Sequence, residues 1–216
     1  MTNRSYRLRG VRITPAQQAA RDTLWAKYGV SFEESQIDLD ALFPKKQPLV
    51  MEIGYGMGEA TWQIAKGNPD INYLGVEVHM PGVGKLMARL SEYELTNVRL
   101  IERDVFEVFF YMVKDESLDG INLFFPDPWP KKRHFKRRIV QERFISEVAA
   151  KLKPGGYLQI ATDWVPYAEW ITEIFSQTKL FTGGVIDRPD WRPLTRFEGQ
   201  GISKDHAVHD FKFVKA

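Results

Sequence analysis

The amino-acid sequence predicts an α/β fold, with a mostly parallel seven-stranded sheet that carries helices on both faces. Short apolar segments that suit buried strands alternate with longer amphipathic segments from residue 49 onward. Glycines and prolines mark the turns between them. Repeated strand–helix units bring successive strands together in parallel through right-handed crossovers, so helices cover both faces. A chain of 216 residues has the size of one such domain with some additions.

The predicted elements begin with an N-terminal segment, residues 1–47, made of a basic arm and one helix. Thr14-Pro15 is typical of an N-cap and a first helical residue, and Gly29 is typical of a helix end. Residues 48–216 then form the sheet domain. We expect its strands at 49–53, 72–78, 98–102, 120–125, 157–162, 184–186 and 208–214. We expect its helices at about 59–66, 84–95, 105–114 and 140–152, with one more after the fifth strand.

The composition limits the class of protein. The chain has no cysteine, which excludes disulfides, thiolate nucleophiles and cysteine-ligated zinc. The four histidines show no convincing metal spacing, so we expect no metal. The first residues lack the apolar core of a signal peptide, and no apolar stretch is long enough to span a membrane. We therefore expect a cytoplasmic protein with no membrane partner.

Positive charge is concentrated in two places, although the net charge is only +2. Six of the eight residues from Lys131 to Arg138 are lysine or arginine. The N-terminal arm has no acidic residue before position 22 and carries Arg4, Arg7, Arg9 and Arg12. Such local clusters on a nearly neutral chain indicate an anionic partner, although a disordered, solvated tail explains the N-terminal arginines equally well.

A glycine loop, Gly54-Tyr55-Gly56-Met57-Gly58, follows the first predicted strand. Its glycines let the backbone turn sharply and approach a ligand closely. The spacing departs from the dinucleotide fingerprint G-x-G-x-x-G, because Glu59 stands where the third glycine would be. Glu52, just before the loop, suits a cofactor with an amine and a sulfonium better than one with a pyrophosphate. The loop therefore favours S-adenosylmethionine over NAD, although glycine loops also close strands for purely structural reasons.

Acidic residues also follow the next two strands. Glu77 ends the second strand, where a carboxylate can accept both hydroxyls of a ribose. Asp104 follows the third strand, where its side chain can meet an adenine amino group. Each acid alone is explained as well by a helix N-cap or a surface position. Together with Glu52 and the glycine loop, they favour a cofactor site at the carboxyl ends of the strands.

The fourth predicted strand leads into a proline-rich loop with one carboxylate, Asp127, followed by the basic run. Three prolines at alternate positions fix φ and should push Phe125, Asp127 and Trp129 towards extended conformations. A stiff loop positions a catalytic group without an entropy cost during the reaction. The basic run would lie at a helix N-terminus, where the helix dipole disfavours cations. Because this placement would lower the stability of the protein, it indicates that the cations serve to bind a nucleic acid.

The sequence resembles the bacterial tRNA (guanine-N7-)-methyltransferase family of class I S-adenosylmethionine-dependent methyltransferases. The matching motifs are Glu-Ile-Gly-Tyr-Gly-Met-Gly at 52–58, Pro-Asp-Pro-Trp-Pro-Lys-Lys-Arg-His at 126–134, Ala-Thr-Asp at 161–163 and Thr-Arg-Phe-Glu at 195–198. The likeness runs from about residue 48 to the C-terminus, and the proline segment is its most specific part. It implies a Rossmann-like class I methyltransferase fold, and methyl transfer from S-adenosylmethionine to N7 of guanine 46 in the tRNA variable loop.

The resemblance also implies roles for individual residues. Asp127 would be the catalytic residue. The cofactor site would consist of Glu52, Gly54, Gly56, Gly58, Glu77, Asp104 and Asp127. The substrate guanosine would contact Lys131, Asp163, Thr195, Arg196, Phe197 and Glu198. The tRNA would contact Lys132, Arg133, His134, Lys136, Arg137 and Arg138. The family often has lysine at the position of Arg196, and the two cations do not bond alike.

Further expectations concern aromatic side chains and assembly. An exposed base of the tRNA has four candidate stacking partners, Trp129, Phe135, Trp191 and Phe197. Each is explained equally well as core or loop packing. We expect the protein to be a monomer or a homodimer.

Two other functions remain open from the sequence. Amino-group methyltransferases that act on adenine, guanine or protein often have an Asp or Asn followed by Pro-Pro and an aromatic residue. Asp127-Pro128-Trp129 differs from that pattern only in having one proline instead of two. A non-catalytic RNA-binding module on the same fold is the second alternative, and the retained acids argue against it. An NAD oxidoreductase is disfavoured by the glycine spacing.

Overall fold

A seven-stranded sheet in the order β3-β2-β1-β4-β5-β7-β6 forms the centre of the computed structural model. The structure describes residues 5–6, 12–194 and 207–216. The strands are β1 (Leu49–Ile53), β2 (Asn72–Glu77), β3 (Val98–Glu102), β4 (Leu118–Phe124), β5 (Leu152–Thr162), β6 (Phe181–Ile186) and β7 (His209–Lys215). The α-helices are α1 (Pro15–Tyr28), α2 (Glu59–Gly67), α3 (Met80–Glu92), α4 (Val105–Tyr111), α5 (Glu142–Lys151) and α6 (Val165–Ser176).

The order of the strands reverses between β1 and β4. The chain builds outward from β1 through β2 to β3, then returns to place β4 on the other side of β1. All contacts among β1 to β5 are parallel, while β7 pairs antiparallel with β5 and β6. In open parallel sheets such a reversal leaves a crevice at the carboxyl ends of the strands. The loops after β1 and β4 therefore flank one crevice.

Alternate residues of each strand enter two separate cores, because successive side chains point to opposite faces of a sheet. Met51 of β1 packs with α4, α5 and α6, whereas Val50 packs with α1, α2 and α3. Both residues are at most 2% exposed. Three helices on each face confirm the predicted two-sided arrangement.

Helix α1 is part of this packing although it precedes the sheet in the chain. The Thr14 hydroxyl accepts a hydrogen bond from the Gln17 amide, and the Gln17 side chain accepts one from the Thr14 amide, which forms a capping box. A Cβ on Gly84 of α3 would lie 2.1 Å from the Gln17 carbonyl oxygen, so only glycine allows this approach of α1 to α3. The division at residue 47 stays a prediction, and α1 shares a core with the sheet domain.

Several predicted elements shift at their ends. Helix α3 begins at Met80, four residues earlier than expected, because Pro81 occupies its first turn. Helix α5 begins only at Glu142, and the basic run forms a separate 3-10 helix at Lys132–Arg137. These cations therefore do not lie at the N-terminus of the long helix, and that prediction is wrong.

Backbone conformation also differs in the proline-rich loop. Phe125 and Trp129 have φ values of +50° and +44°, so neither residue is extended as predicted. Positive φ is uncommon for bulky residues and costs free energy that the surrounding packing must supply. Within the part of the chain that the structure describes, no helix combines the length and apolar character needed to cross a membrane.

Candidate active site

The glycine loop leaves the end of β1 with a left-handed backbone at every second residue. Gly54, Gly56 and Gly58 have φ values of +71°, +58° and +71°. A Cβ on Gly54 or Gly56 would meet no atom within 4 Å, so the loop borders open space at these positions. At Gly58, a Cβ would approach the Leu86 side chain of α3 to 2.7 Å. Gly54 and Gly56 thus border an open space that a ligand can occupy, which we call the glycine cradle. Gly58 allows close packing of the loop on α3.

Glu77, the last residue of β2, holds this loop in place. Its Oε2 atom accepts a hydrogen bond of 2.7 Å from the Gly56 amide. Its Oε1 atom accepts hydrogen bonds from the amides of Val78 and His79, at 2.6 and 3.0 Å. Because Oε1 already accepts two bonds, a ribose hydroxyl can be accepted mainly by Oε2. Glu77 therefore both fixes the cradle and presents an acceptor to it.

Glu52 lies on β1 just before the loop and is only 3% exposed. Burial raises the pKa of its carboxyl to about 7, the Thr61 hydroxyl lowers it, and the Glu77 carboxylate raises it further. A cation that reaches Glu52 would remove this penalty on the charged form. The buried carboxylate is thus suited to a positively charged ligand.

The tyrosine of the glycine loop lies among acidic side chains. Tyr55 is 7% exposed, and its hydroxyl has no hydrogen-bond partner among the described residues. Burial and the carboxylates of Glu77, Glu102 and Glu52 raise the pKa of this phenol well above its usual value. Arg21 of α1 binds Glu102 at 3.0 Å and balances one of the three charges.

Asp104 has the structural role that the sequence left open. It is the N-cap of α4, and its Oδ1 atom accepts a hydrogen bond of 2.9 Å from the Phe106 amide. One carboxylate oxygen serves this cap. A contact with an adenine amino group would use the remaining acceptor capacity, and it stays a prediction.

The proline-rich loop after β4 places the half-buried Asp127 on the other side of the crevice. Trp129 is 5% exposed and its indole N–H donates to the Ser5 carbonyl at 2.9 Å. The loop is therefore held by the N-terminal segment from one side. Trp129 is packed inside the protein, so we leave it out of the candidates for base stacking.

Arg138, predicted to contact RNA, is instead buried beneath this loop and is 2% exposed. Its Nε donates to the Pro128 carbonyl at 2.9 Å. Its guanidinium lies 3.8 Å from the ring centre of Phe135, and 4.9 and 5.1 Å from those of Tyr167 and Trp170. These contacts correct the expectation for Arg138, which supports the loop from within. Phe135 is itself half-buried under this guanidinium.

Most of the remaining cations of the basic run are exposed, at or within the 3-10 helix that follows the Asp127 loop. His134 is half-buried with its ring edge against Trp129, at 5.7 Å between ring centres. The exposed side chains are Lys131, Lys132, Arg133, Lys136 and Arg137. The half-buried Asp163 follows β5, the strand beside β4. The parallel strands thus bring Asp163, Asp127 and the glycine loop to the same edge of the sheet.

A buried ion pair, not foreseen from the sequence, lies next to this edge. Arg192 is fully buried and binds both carboxylate oxygens of Asp210 on β7, at 2.9 and 2.7 Å. Its guanidinium also lies 5.9 Å from the ring centre of Phe124 at the end of β4. This anchor fixes the chain shortly before the predicted substrate residues at 195–198, which lie outside the described residues. Trp191 beside it is 37% exposed.

The residues of the crevice fit S-adenosylmethionine. The open cradle at Gly54 and Gly56 admits a ligand, and the buried acid Glu52 suits a positively charged group. Glu52 would hold the amino-acid end and Glu77 the ribose. Among the described residues, no group of three or more acidic or histidine side chains could hold a metal ion.

Comparison with known proteins settles the family. A family model with the description "Putative methyltransferase" matches residues 46–211. A tRNA (guanine-N(7)-)-methyltransferase of Methylobacillus flagellatus is 47% identical over 214 residues, which cover 97% of this chain and 90% of that protein. The chain belongs to the tRNA (guanine-N7-)-methyltransferase family. The predicted resemblance is thereby confirmed.

Solved structures agree on the fold of this family member. An rRNA methylase from Streptococcus thermophilus superimposes with a TM-score of 0.53 at 16% identity, over 94% of this chain and 98% of that one. A 16S rRNA (adenine(1408)-N(1))-methyltransferase from Catenulisporales acidiphilia gives a TM-score of 0.54 at 14% identity, over 82% and 88%. At these identities the likeness concerns the fold alone. It confirms the predicted Rossmann-like class I methyltransferase fold.

Sequence reasoning missed three residues in this tRNA (guanine-N7-)-methyltransferase family member. Asn122 stands in the apolar strand β4, and its polarity was the signal that could have drawn attention to it. Arg192 and Asp210 are 18 residues apart with no local pattern that links them. The antiparallel pairing of β6 with β7, in which Ile186 is the partner of Asp210, brings the two segments together.

Proposed function

We propose that this protein transfers the methyl group of S-adenosylmethionine to N7 of guanine 46 in the variable loop of tRNA. Methylation of tRNA guanine at N7 with this cofactor is the activity of its family. The observation that carries the proposal is the crevice at the strand reversal, with the acidic glycine cradle after β1 and Asp127 after β4. The assignment to position 46 rests on the family resemblance.

The chemistry at N7 explains which residues are needed. Guanine N7 has a lone pair and no proton, so its attack on a methyl group requires no general base. The cofactor supplies the methyl group as part of a sulfonium, and the positive charge passes to the guanine. Asp127 binds the N–H edge of the base and stabilises the cation that develops there. The rigid loop around Asp127 supplies the alignment of the two reactants.

Contacts with the guanosine extend from Asp127 along the same edge of the sheet. Asp163 shares the contact with the base, and Lys131 binds near it at the start of the basic 3-10 helix. The remaining proposed contacts, Thr195, Arg196, Phe197 and Glu198, lie outside the described residues. The buried Arg192–Asp210 pair supports this part of the proposal, because it anchors the preceding residues beside β4.

The tRNA backbone binds the exposed cations of the 3-10 helix. Lysine and arginine give affinity for phosphates without a choice of sequence. N7 faces the deep major groove of A-form RNA, so the enzyme acts on a base that is displaced or already exposed. Trp191 is the described aromatic residue best placed to stack on such a base, since it is partly exposed beside β4. Action on tRNA is consistent with a cytoplasmic location.

Methylation of an unmodified tRNA transcript tests the proposal. The protein is incubated with transcript and labelled S-adenosylmethionine, and the RNA is then reduced and cleaved at N7-methylguanine. Cleavage at guanine 46 is expected, and a transcript with adenine 46 is the matched control. Cleavage at another guanine would overturn the assigned position. A methylated amino group, located by nuclease digestion and mass spectrometry, would overturn the assigned reaction.

A further inference from the structure

Asn122 is a polar side chain placed inside an apolar strand. It lies in the middle of β4 and is 1% exposed. Neither its amide nitrogen nor its amide oxygen has a hydrogen-bond partner among the residues that the structure describes. Buried polar groups are nearly always paired, because an unpaired one loses its bonds to water without replacement. An unpaired amide at this depth points to a partner that is engaged in another state of the protein.

The register of the sheet identifies the neighbour of this amide. Asn122 and Glu52 are direct partners across the parallel strands β4 and β1. Their side chains share the face that carries α1, α2 and α3, since Val50 and Phe124, two residues away, enter that core. Glu52 is also buried, and it stands two residues before Gly54, the first glycine of the cradle. The unused donor of Asn122 is thus next to the carboxylate proposed to hold the amino-acid end of the cofactor.

We propose that Asn122 is a positioning residue for the cofactor, whose amide N–H donates to the Glu52 carboxylate when that carboxylate binds the cofactor's ammonium group. This inference rests on the proposed cofactor role of Glu52. A charge-assisted hydrogen bond both orients the carboxylate and favours its ionised form. In this arrangement Asn122 acts through Glu52 and does not itself contact the cofactor.

The charges around Glu52 explain why such a donor is needed. The titratable groups that face this carboxyl are Glu77, Tyr55 and Tyr73. None of them is a cation, and burial, together with Glu77, raises the pKa of Glu52 to about 7 despite the Thr61 hydroxyl, which lowers it. A proton therefore competes with the ammonium group of the ligand for Glu52 near neutral pH. Below pH 7 the ammonium stays charged, so affinity follows the ionised fraction of Glu52.

Binding of two related ligands tests the inference. S-adenosylhomocysteine retains the ammonium group, whereas 5′-methylthioadenosine lacks the amino-acid end. Calorimetry measures the Kd of both ligands for the wild type, Glu52→Gln, Asn122→Leu and the double variant. Gln159→Leu is the matched control, because Gln159 is the partner of Asn122 on β5, on the side away from Glu52. Thermal unfolding checks that each variant is folded.

Specific changes in Kd are expected. For the wild type, the Kd of S-adenosylhomocysteine rises about 15-fold from pH 7 to pH 5.5, and Glu52→Gln abolishes this dependence. Asn122→Leu raises that Kd about 10-fold at pH 7, as expected for a lost hydrogen bond to a charged group. It changes the Kd of 5′-methylthioadenosine less than about 2-fold, and it has no further effect in Glu52→Gln. Gln159→Leu retains the wild-type profile.

The possible failures are distinguishable. Unchanged binding of S-adenosylhomocysteine by Glu52→Gln would refute the proposed role of Glu52. If Glu52→Gln binds weakly but Asn122→Leu binds like the wild type, the inference on Asn122 is wrong. An equal loss for both ligands in Asn122→Leu would also refute it, since that indicates a general structural defect. If Asn122→Leu does not fold, Asn122→Ala decides, because it also removes the donor and should weaken binding of S-adenosylhomocysteine selectively.

Discussion

Replacing Gly82 by alanine tests whether the position of the glycine loop determines cofactor affinity. Gly82 lies in the first turn of α3, and a Cβ there would be 1.8 Å from the Gly56 carbonyl oxygen. Cβ contacts below 3.0 Å essentially do not occur, so the loop and α3 must separate by at least about 1.2 Å. The Gly56 amide binds Glu77 at 2.7 Å, and a displacement of this size would break that bond.

We expect Gly82→Ala to raise the Kd of S-adenosylhomocysteine about 100-fold, because a misplacement of about 1 Å at a binding site has effects of this order. Stability should fall by about 1–3 kcal/mol from overpacking. Calorimetry at pH 7.5 and thermal unfolding measure the two effects.

Two glycine variants separate the loop from a general packing defect. In Gly84→Ala the new Cβ would lie 2.1 Å from the Gln17 carbonyl on α1, so stability should fall while affinity is largely kept. In Gly67→Ala the Cβ meets nothing within 4 Å, so both quantities should stay near wild type. A folded Gly82→Ala protein that binds within about threefold of the wild type would refute the reasoning.

Three further predictions concern the other side of the crevice, and two of them include a control variant. Asp127→Asn should reduce turnover by about 100-fold or more with little change in the Kd of the cofactor, because the charge of Asp127 acts on the developing guanine cation. Single-turnover kinetics measures the rate and calorimetry measures the Kd. Full turnover would contradict the role of Asp127. Arg192→Ala should lower the free energy of unfolding by about 3–5 kcal/mol in urea denaturation, because it leaves Asp210 charged and buried, whereas the exposed Arg188→Ala should change it little. Lys136→Ala should reduce the slope of log affinity for tRNA against log salt concentration by about 1, because one phosphate contact is lost. Arg138→Ala should mainly lower the melting temperature, because Arg138 is buried. An unchanged slope in Lys136→Ala would show that Lys136 does not contact the tRNA backbone.

The arrangement of the site was largely predictable because it depends on the ends of strands. A glycine loop after an apolar segment and an acid at the end of the next are local patterns, and parallel strands end at one edge. The structure places Glu52, Glu77 and Asp127 at that edge as predicted. Their roles as ligand contacts remain predictions.

Predictions that depended on long-range packing were less successful. The rule for residues before proline favours extended backbone, but Phe125 and Trp129 have positive φ because tertiary contacts hold the loop. The indole of Trp129 binds the Ser5 carbonyl, a contact across 124 positions of the chain. Arg138 belongs to a run of cations that looks exposed, yet aromatic rings and the Pro128 carbonyl enclose it. No local pattern distinguishes it from Arg137.

Local sequence patterns were enough to predict the α/β class, the alternation of strands and helices, and the residue types at the ends of the strands. These properties follow from hydrophobic periodicity and turn residues, which act over a few positions of the chain. Three features came from the folded structure alone: which cations are accessible, which bulky loop residues have a left-handed backbone, and the position of Asn122 beside Glu52. Burial and strand register are set by contacts between segments that are distant in the chain, and the sequence of one segment does not specify which other segment packs against it.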